Sequence, residues 1–298
     1  MKKVLSNKKV LLVLLAVAAM FLLAGCQRNV DANGNTLPEK IISLDTPWKN
    51  VLNESFFSAI FVWPLAQCIN WIGGKLNSAV LGVLLTTVLF NLLTLGITKK
   101  STVSMQKVQM LQPELQKINQ KYEGMTDDNS RRKQASEMQA LYNKYGVDPL
   151  GSMITPFIQI PVMISMYYAV QRAAVVVNGT LFGIPLSTTP KAALKSIGTQ
   201  WPIIVVFLLM IVAQIISSLI PQWMAKKKKK SQKGYKAYAD TSSNNSTMNT
   251  TVLMTVMMVA LLGAGWPSTM SIYWLVSSVC NVLKTLYIQW RYIDNEKV

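Results

Sequence analysis

The chain alternates long apolar runs with short, heavily charged connections. Runs at 79–98, 150–170, 203–222, 250–266 and 268–288 each approach the roughly 20 apolar residues that a membrane-spanning helix needs. Pro267 separates the last two and predicts a tight helical hairpin. A further run, 56–74, is apolar but interrupted by Pro64, Gln67 and Asn70, with Trp63 and Trp71 among its residues. The predicted class is all-α: a polytopic membrane protein with five transmembrane helices, an outer interfacial helix and a cytoplasmic helical hairpin.

Which runs cross follows from the two ends of the pattern. Residues 1–25 read as a signal peptide, with Lys2, Lys3, Lys8 and Lys9 before a short apolar core. Leu23-Ala24-Gly25-Cys26 resembles a bacterial lipobox, which implies a diacylglyceryl and N-acyl (palmitate-type) lipid on Cys26. The segment 26–55 is then extracytoplasmic. Residues 99–148 hold nine Lys/Arg and are expected inside. An odd number of crossings must separate the two. The uninterrupted run 79–98 takes the crossing, and 56–74 becomes an amphipathic helix lying on the outer leaflet. The basic loop 223–249 carries seven lysines, against three cations in the outside loop 171–200. The expected protein is multi-pass in the bacterial plasma membrane, with its N-terminus outside and the tail 289–298 in the cytoplasm.

The loop 99–148 has its own pattern. Val108, Leu111, Leu115, Ile118 and Tyr122 are spaced 3-4-3-4, and Ala135, Met138, Tyr142 and Tyr145 are spaced 3-4-3. The residues from Glu123 to Ser130 read as a turn, so the two helices should fold back as an antiparallel pair. Pro113 is expected to kink the first helix or to mark its effective start.

Several runs carry polar stripes. Thr87, Asn91, Thr94 and Thr98 fall within an arc of about 60° on one helical face. Ser271, Trp274, Ser278, Asn281 and Thr285 repeat the spacing near the chain's end, with Lys284 beside them. Ser152, Thr155 and Gln159, and Gln214, Ser217 and Ser218, supply shorter sets. Polar side chains avoid lipid, so these faces point inward, either as polar glue between helices or around a shared hydrated cavity. Most lie in the cytoplasmic halves of their runs, which predicts a groove open to the cytoplasm and closed outside.

Composition narrows the chemistry. The formal charge of +17 falls mainly between apolar runs, where it orients a membrane protein rather than binding a specific nucleic acid. There is no histidine, and the three cysteines are far apart, so no metal site and no acid–base or nucleophilic constellation is readable. An enzyme is not expected, and neither is a cofactor. No run carries a central carboxylate, which argues against a coupled small-solute transporter.

Three passages carry a family resemblance. The first is Met110-Leu111-Gln112-Pro113-Glu114-Leu115-Gln116-Lys117-Ile118, followed by Lys121-Tyr122. The second is Asp148-Pro149-Leu150-Gly151, leading to Pro156, Gln159-Ile160-Pro161-Val162 and Tyr167-Tyr168-Ala169. The third is Trp266-Pro267-Ser268, with Ile272-Tyr273-Trp274-Leu275-Val276-Ser277-Ser278. Over residues 40–290 the chain resembles the YidC/Oxa membrane protein insertases, of the Gram-positive lipoprotein type. That resemblance implies a membrane insertase and chaperone whose hydrophilic groove receives the polar flanks of client membrane proteins. Thr87, Asn91, Thr94, Gln159, Gln214, Trp274, Ser278 and Asn281 would line the groove, and Met257 and Met258 are candidates for a client-sliding surface. Implied partners are nascent membrane proteins and the lipid bilayer, with the Sec translocon and the ribosome as further candidates. Two positions depart from the family pattern: Asn91 stands where an arginine is usual, and Gly96 where a proline is usual. The chain ends soon after Arg291-Tyr292-Ile293-Asp294, so a tail-mediated ribosome contact is not expected. The other readings are an assembly chaperone without insertion activity and a small-solute transporter.

Overall fold

The computed structural model describes residues 29–31, 36–147, 149–231 and 243–293. Cys26 and the signal segment lie outside the described residues, as do Lys233 and Lys236. The described chain is mostly helical. Its main elements are α1 (Trp48–Glu54), α2 (Trp63–Lys75), α3 (Ala79–Lys121), α4 (Asp128–Lys144), α5 (Pro149–Arg172), α6 (Ile197–Ser231), α7 (Ser243–Gly265) and α8 (Ser268–Ile288). A two-stranded hairpin, β1 (Thr180–Leu181) with β2 (Ile184–Pro185), lies between α5 and α6.

By length and composition, two described stretches can cross a membrane: Ala79–Gly96, with 18 residues, and Pro190–Pro221, with 32. A shorter apolar helix covers Leu253–Gly265. The run 268–288 is helical throughout, but Ser, Asn, Lys and Thr dilute its apolar character. Helix α3 does not stop where its apolar run stops. It continues through Pro113 to Lys121, 43 residues in all and about 65 Å at 1.5 Å per residue. Pro113 therefore neither starts nor ends a helix. Helix α6 likewise carries the lysines 226–230 within it, and α7 begins inside the stretch read as basic loop.

The chain divides into two compact units. One comprises residues up to 94, 156–214 and 258–280. Its core gathers Ile42, Phe57, Val62 and Ile69 with Val83, Met166, Val170, Met210, Met270 and Tyr273. A turn of π-helix, Ser58–Val62, leads into α2. Helix α2 meets the start of α3 at close range: a Cβ on Gly82 would stand 2.8 Å from the Ile69 carbonyl oxygen, so only glycine fits there.

In the same unit, the segment before α1 forms a strap. Ile42 is fully buried; its N–H donates to the Arg172 carbonyl at 2.6 Å, and its own carbonyl accepts from Ala174 at 2.9 Å. The polar residues that interrupt the run 56–74 hold this strap. Asn70 Nδ2 donates to the Ile42 carbonyl at 2.6 Å and Asn70 Oδ1 accepts from Val175 N–H at 3.0 Å. Gln67 Nε2 donates to the Ser43 carbonyl at 2.8 Å, and Trp63 Nε1 to that of Thr46 at 2.9 Å.

The other unit comprises residues 95–155, 215–257 and 281 onward. Within it α3 and α4 pack through Leu111, Leu115 and Val147, joined by Val108, Met138, Leu141, Tyr142 and Tyr145. Of the expected 3-4-3 positions Met138, Tyr142 and Tyr145 pack in this seam and Ala135 is exposed, while Leu141, three residues after Met138, joins them. Cross-arm bonds fix the register: Tyr122 donates to Glu137 at 2.8 Å, Gln134 to Asn119 at 2.9 Å and Tyr145 to Glu114 at 3.2 Å. Asp127 caps α4 by accepting from Ser130 N–H at 2.8 Å.

Candidate functional site

Polar side chains on an apolar helix must find partners, and those of α3 find them first on their own backbone. Thr87, fully buried, donates from Oγ1 to the Val83 carbonyl at 2.7 Å. Asn91, 9% exposed, donates from Nδ2 to the Thr87 carbonyl at 2.9 Å. Thr94 donates to the Asn91 carbonyl at 3.1 Å. These bonds along the helix keep three polar groups on one face of α3. Leu92 and Leu93, on other faces, are 62% and 60% exposed.

Other expected residues meet across helices. Ser278 on α8 is buried and donates to Gln214 Oε1 on α6 at 2.8 Å. Gln159 on α5 meets the Tyr273 hydroxyl, as does Ser277. Trp274 stacks on Trp266 with ring centroids 5.2 Å apart, and Trp266 packs on Tyr167 at 4.7 Å. Gly263 leaves room for this stack, since a Cβ there would stand 3.1 Å from the Trp274 ring. Asn281 belongs to the other compact unit and is half-buried there. The side chains of Thr98, Ser152 and Thr155 lie outside what the structure describes. Met257 and Met258 are 52% and 56% exposed.

Several polar groups escaped the sequence reading. Thr86, next to Thr87, is 1% exposed, and its Oγ1 has no hydrogen-bond partner among the described residues. Ser271 Oγ on α8, which the sequence does place in a stripe, is likewise buried with no partner among the described residues. Away from the stripes, Arg172 at the end of α5 is 1% exposed. Its Nε donates to the Lys40 carbonyl at 2.7 Å and its Nη2 to Glu54 at 2.8 Å, with Lys40 Nζ 3.3 Å from the same carboxylate. Burial lowers the Arg172 pKa, and the neighbouring Glu54 carboxylate opposes that shift. A lone arginine after an apolar run was its only sequence signal.

Among the described residues no cluster of three His, Cys, Asp or Glu could hold a metal ion. The site can therefore offer hydroxyl and amide hydrogen bonds and stacked aromatic surface, all set on apolar helices.

Comparison with known proteins gives this arrangement its context. Residues 71–296 match the family described as 60Kd inner membrane protein. Membrane protein insertase YidC 2 of Bacillus anthracis is 25% identical over 292 residues, 98% of this chain and 97% of that protein. Membrane protein insertase YidC of Ureaplasma parvum is 29% identical over 259 residues, covering 81% of this chain and 66% of its relative. That of Mycoplasmopsis pulmonis is 26% identical over 245 residues, and there the match spans 81% of this chain but only 39% of the relative. A match that runs from α2 past the end of α8, with full-length alignment to a Bacillus relative, means that the chain belongs to the YidC/Oxa family of membrane proteins.

Proposed function

We propose that the protein is a membrane protein insertase that receives the polar flanks of client membrane proteins in a hydrophilic groove open to the cytoplasm. The observation that carries this reading is the polar face of α3. Thr87 and Asn91 are buried on that face, within an 18-residue stretch apolar enough to span a membrane. Polar groups are costly in hydrocarbon, so a helix face that carries them calls for protein, water or a client group rather than lipid. A hydrated pocket that reaches into the bilayer shortens the roughly 30 Å a client's polar flank must cross. Burial of the client's own apolar segment, at about 25 cal/mol per Å², then drives release.

In the finer reading, five spans place the N-terminus outside, with lipid on Cys26. The helix 56–74 lies on the outer leaflet and the α3–α4 hairpin stands in the cytoplasm. Thr87, Asn91, Thr94, Gln159, Gln214, Trp274 and Ser278 face the client. Because Asn91 replaces the usual arginine, the groove recognises polar flanks by hydrogen bonding rather than by positive charge. The protein is not an enzyme and uses no cofactor. Its partners are nascent membrane proteins, alongside the Sec translocon and the ribosome.

Site-specific crosslinking from position 91 to a stalled, single-span nascent client tests this, with position 93 as control. Strong capture at 91 and little at 93 is the expected outcome. Equal capture at both, or none, would overturn the groove and favour an assembly chaperone without insertion activity.

A further inference from the structure

The loop between α5 and α6 contains an aromatic residue in an unfavourable place. β1 and β2 pair with Leu181 opposite Ile184, leaving Phe182 and Gly183 as a two-residue turn. Both are left-handed, with φ of +51° and +81°. Such turns favour Asn or Gly at both positions, and a bulky side chain there is strained. Packing does not account for Phe182, because it is 83% exposed. Strain at a residue this exposed points to a role outside the fold.

The rest of the loop gives that role a direction. Ile184, Ala193 and Ile203 are buried together, with Leu181 and Ile204 against them, so the hairpin is fixed to the segment that leads into α6. On that segment and the first turns of α6, Leu194, Ile197 and Trp201 stand three and four residues apart, and each is exposed by 57–59%. Lys191 and Lys195 are exposed beside them. The apolar stretch Pro190–Pro221 is 32 residues long, more than the roughly 20 that a crossing needs. The excess precedes a break at Gln200 (φ −109°, ψ 17°), next to Trp201-Pro202. The loop therefore has one apolar side packed inside the protein and a second with no cover.

We infer that residues 180–201 form a second membrane-surface anchor. Phe182 and the Leu194–Ile197–Trp201 stripe enter the outer leaflet, and Lys191 and Lys195 meet its anionic headgroups. The occupant is the bilayer itself: the stripe leads, across the break at Gln200, into an apolar helix, and aromatic and basic residues are what an interface takes up. The anchor rests on the reading that puts residues 171–200 outside.

The test uses the full chain with Cys26→Ser, Cys68→Ser and Cys280→Ser, reconstituted in vesicles containing phosphatidylglycerol. An environment-sensitive fluorophore is placed at F182C or at S187C, an exposed position in the same loop. The expected result is blue-shifted emission at 182, quenched several-fold more than at 187 by lipids spin-labelled high on the acyl chain. Equal access of aqueous iodide to both positions would overturn the anchor. A membrane-impermeant maleimide added to intact spheroplasts tests orientation separately. If S187C reacts only after lysis, the outside assignment fails, while the contrast between 182 and 187 still decides bilayer contact. Phe182→Asn suits the left-handed turn and should leave the melting temperature in detergent unchanged or raised. A lowered one would make Phe182 a packing residue and overturn the proposal.

Discussion

Arg172 keeps its charge while 1% exposed, and a buried cation is tolerated only with a partner. Glu54 supplies it, 118 positions away, and Lys40 supports the same carboxylate from a more exposed position. Removing one member of such a pair costs more than the pair contributes. Glu54→Gln is expected to destabilise the protein by about 3 kcal/mol, the low end of the range because the carboxylate retains some exposure. Lys40→Gln should cost well under about 1 kcal/mol, since the Arg172–Glu54 bond survives it. Thermal unfolding of both variants in detergent checks this, and equal losses would mean that Arg172 does not depend on Glu54. None of it was legible in the sequence, where Arg172 was one of three cations in an outer loop and Glu54 lay in an unremarkable tether. Ion pairs over such separations leave no periodic trace. Asn91 is different: its 3- and 4-residue spacing from Thr87 and Thr94 is a property of one helix, and the structure returns the same face with each donor satisfied in turn.

Helices were legible wherever composition and period agreed, and their ends were not. Lys99 and Lys100 end the apolar run of α3, but lysine is a good helix former and nothing there stops the helix. The seam on α4 was legible in phase but not at its start: Met138, Tyr142 and Tyr145 pack with Leu141, and Ala135, one turn earlier, is exposed. The hairpin's polar contacts make it sensitive to pH. Hydrogen bonds from Lys121 and Tyr122 hold the Glu137 carboxyl below its usual value of 4.5. The Ser130 N–H does the same for Asp127. A depressed carboxyl contributes stability that is present above its unfolded pKa and is lost as pH falls through the folded one. The α3–α4 pair should therefore loosen below about pH 4.5. Spin labels at Gln120 and Lys133 would report this as a broadened distance distribution in acid. Glu137→Gln should be loosened already at neutral pH and respond less, with only the Asp127 share remaining. An identical acid response in both proteins would remove Glu137 from the account.

For the whole molecule, the question is what holds it in the membrane. The sequence offers two answers, a lipid on Cys26 and five apolar helices, and they differ in strength. A single acyl chain gives only marginal, reversible attachment, and two chains give stable anchoring, whereas a spanning helix is effectively irreversible. The strap changes what the lipid can be for. Residues 42–46 are not a loose tether: Ile42 is buried between Arg172 and Ala174, and Asn70, Gln67 and Trp63 each donate to a strap carbonyl. These contacts lie within the fold, sixteen residues downstream of Cys26, the position proposed to carry lipid. Cys26→Ala should therefore stay in the membrane fraction after alkaline carbonate extraction, with a melting temperature in detergent unchanged from the parent chain. Release by carbonate would mean that the apolar helices do not span, and the five-crossing reading would fall with it. Retention together with a lowered melting temperature would instead make the lipid part of the fold, with the strap dependent on it.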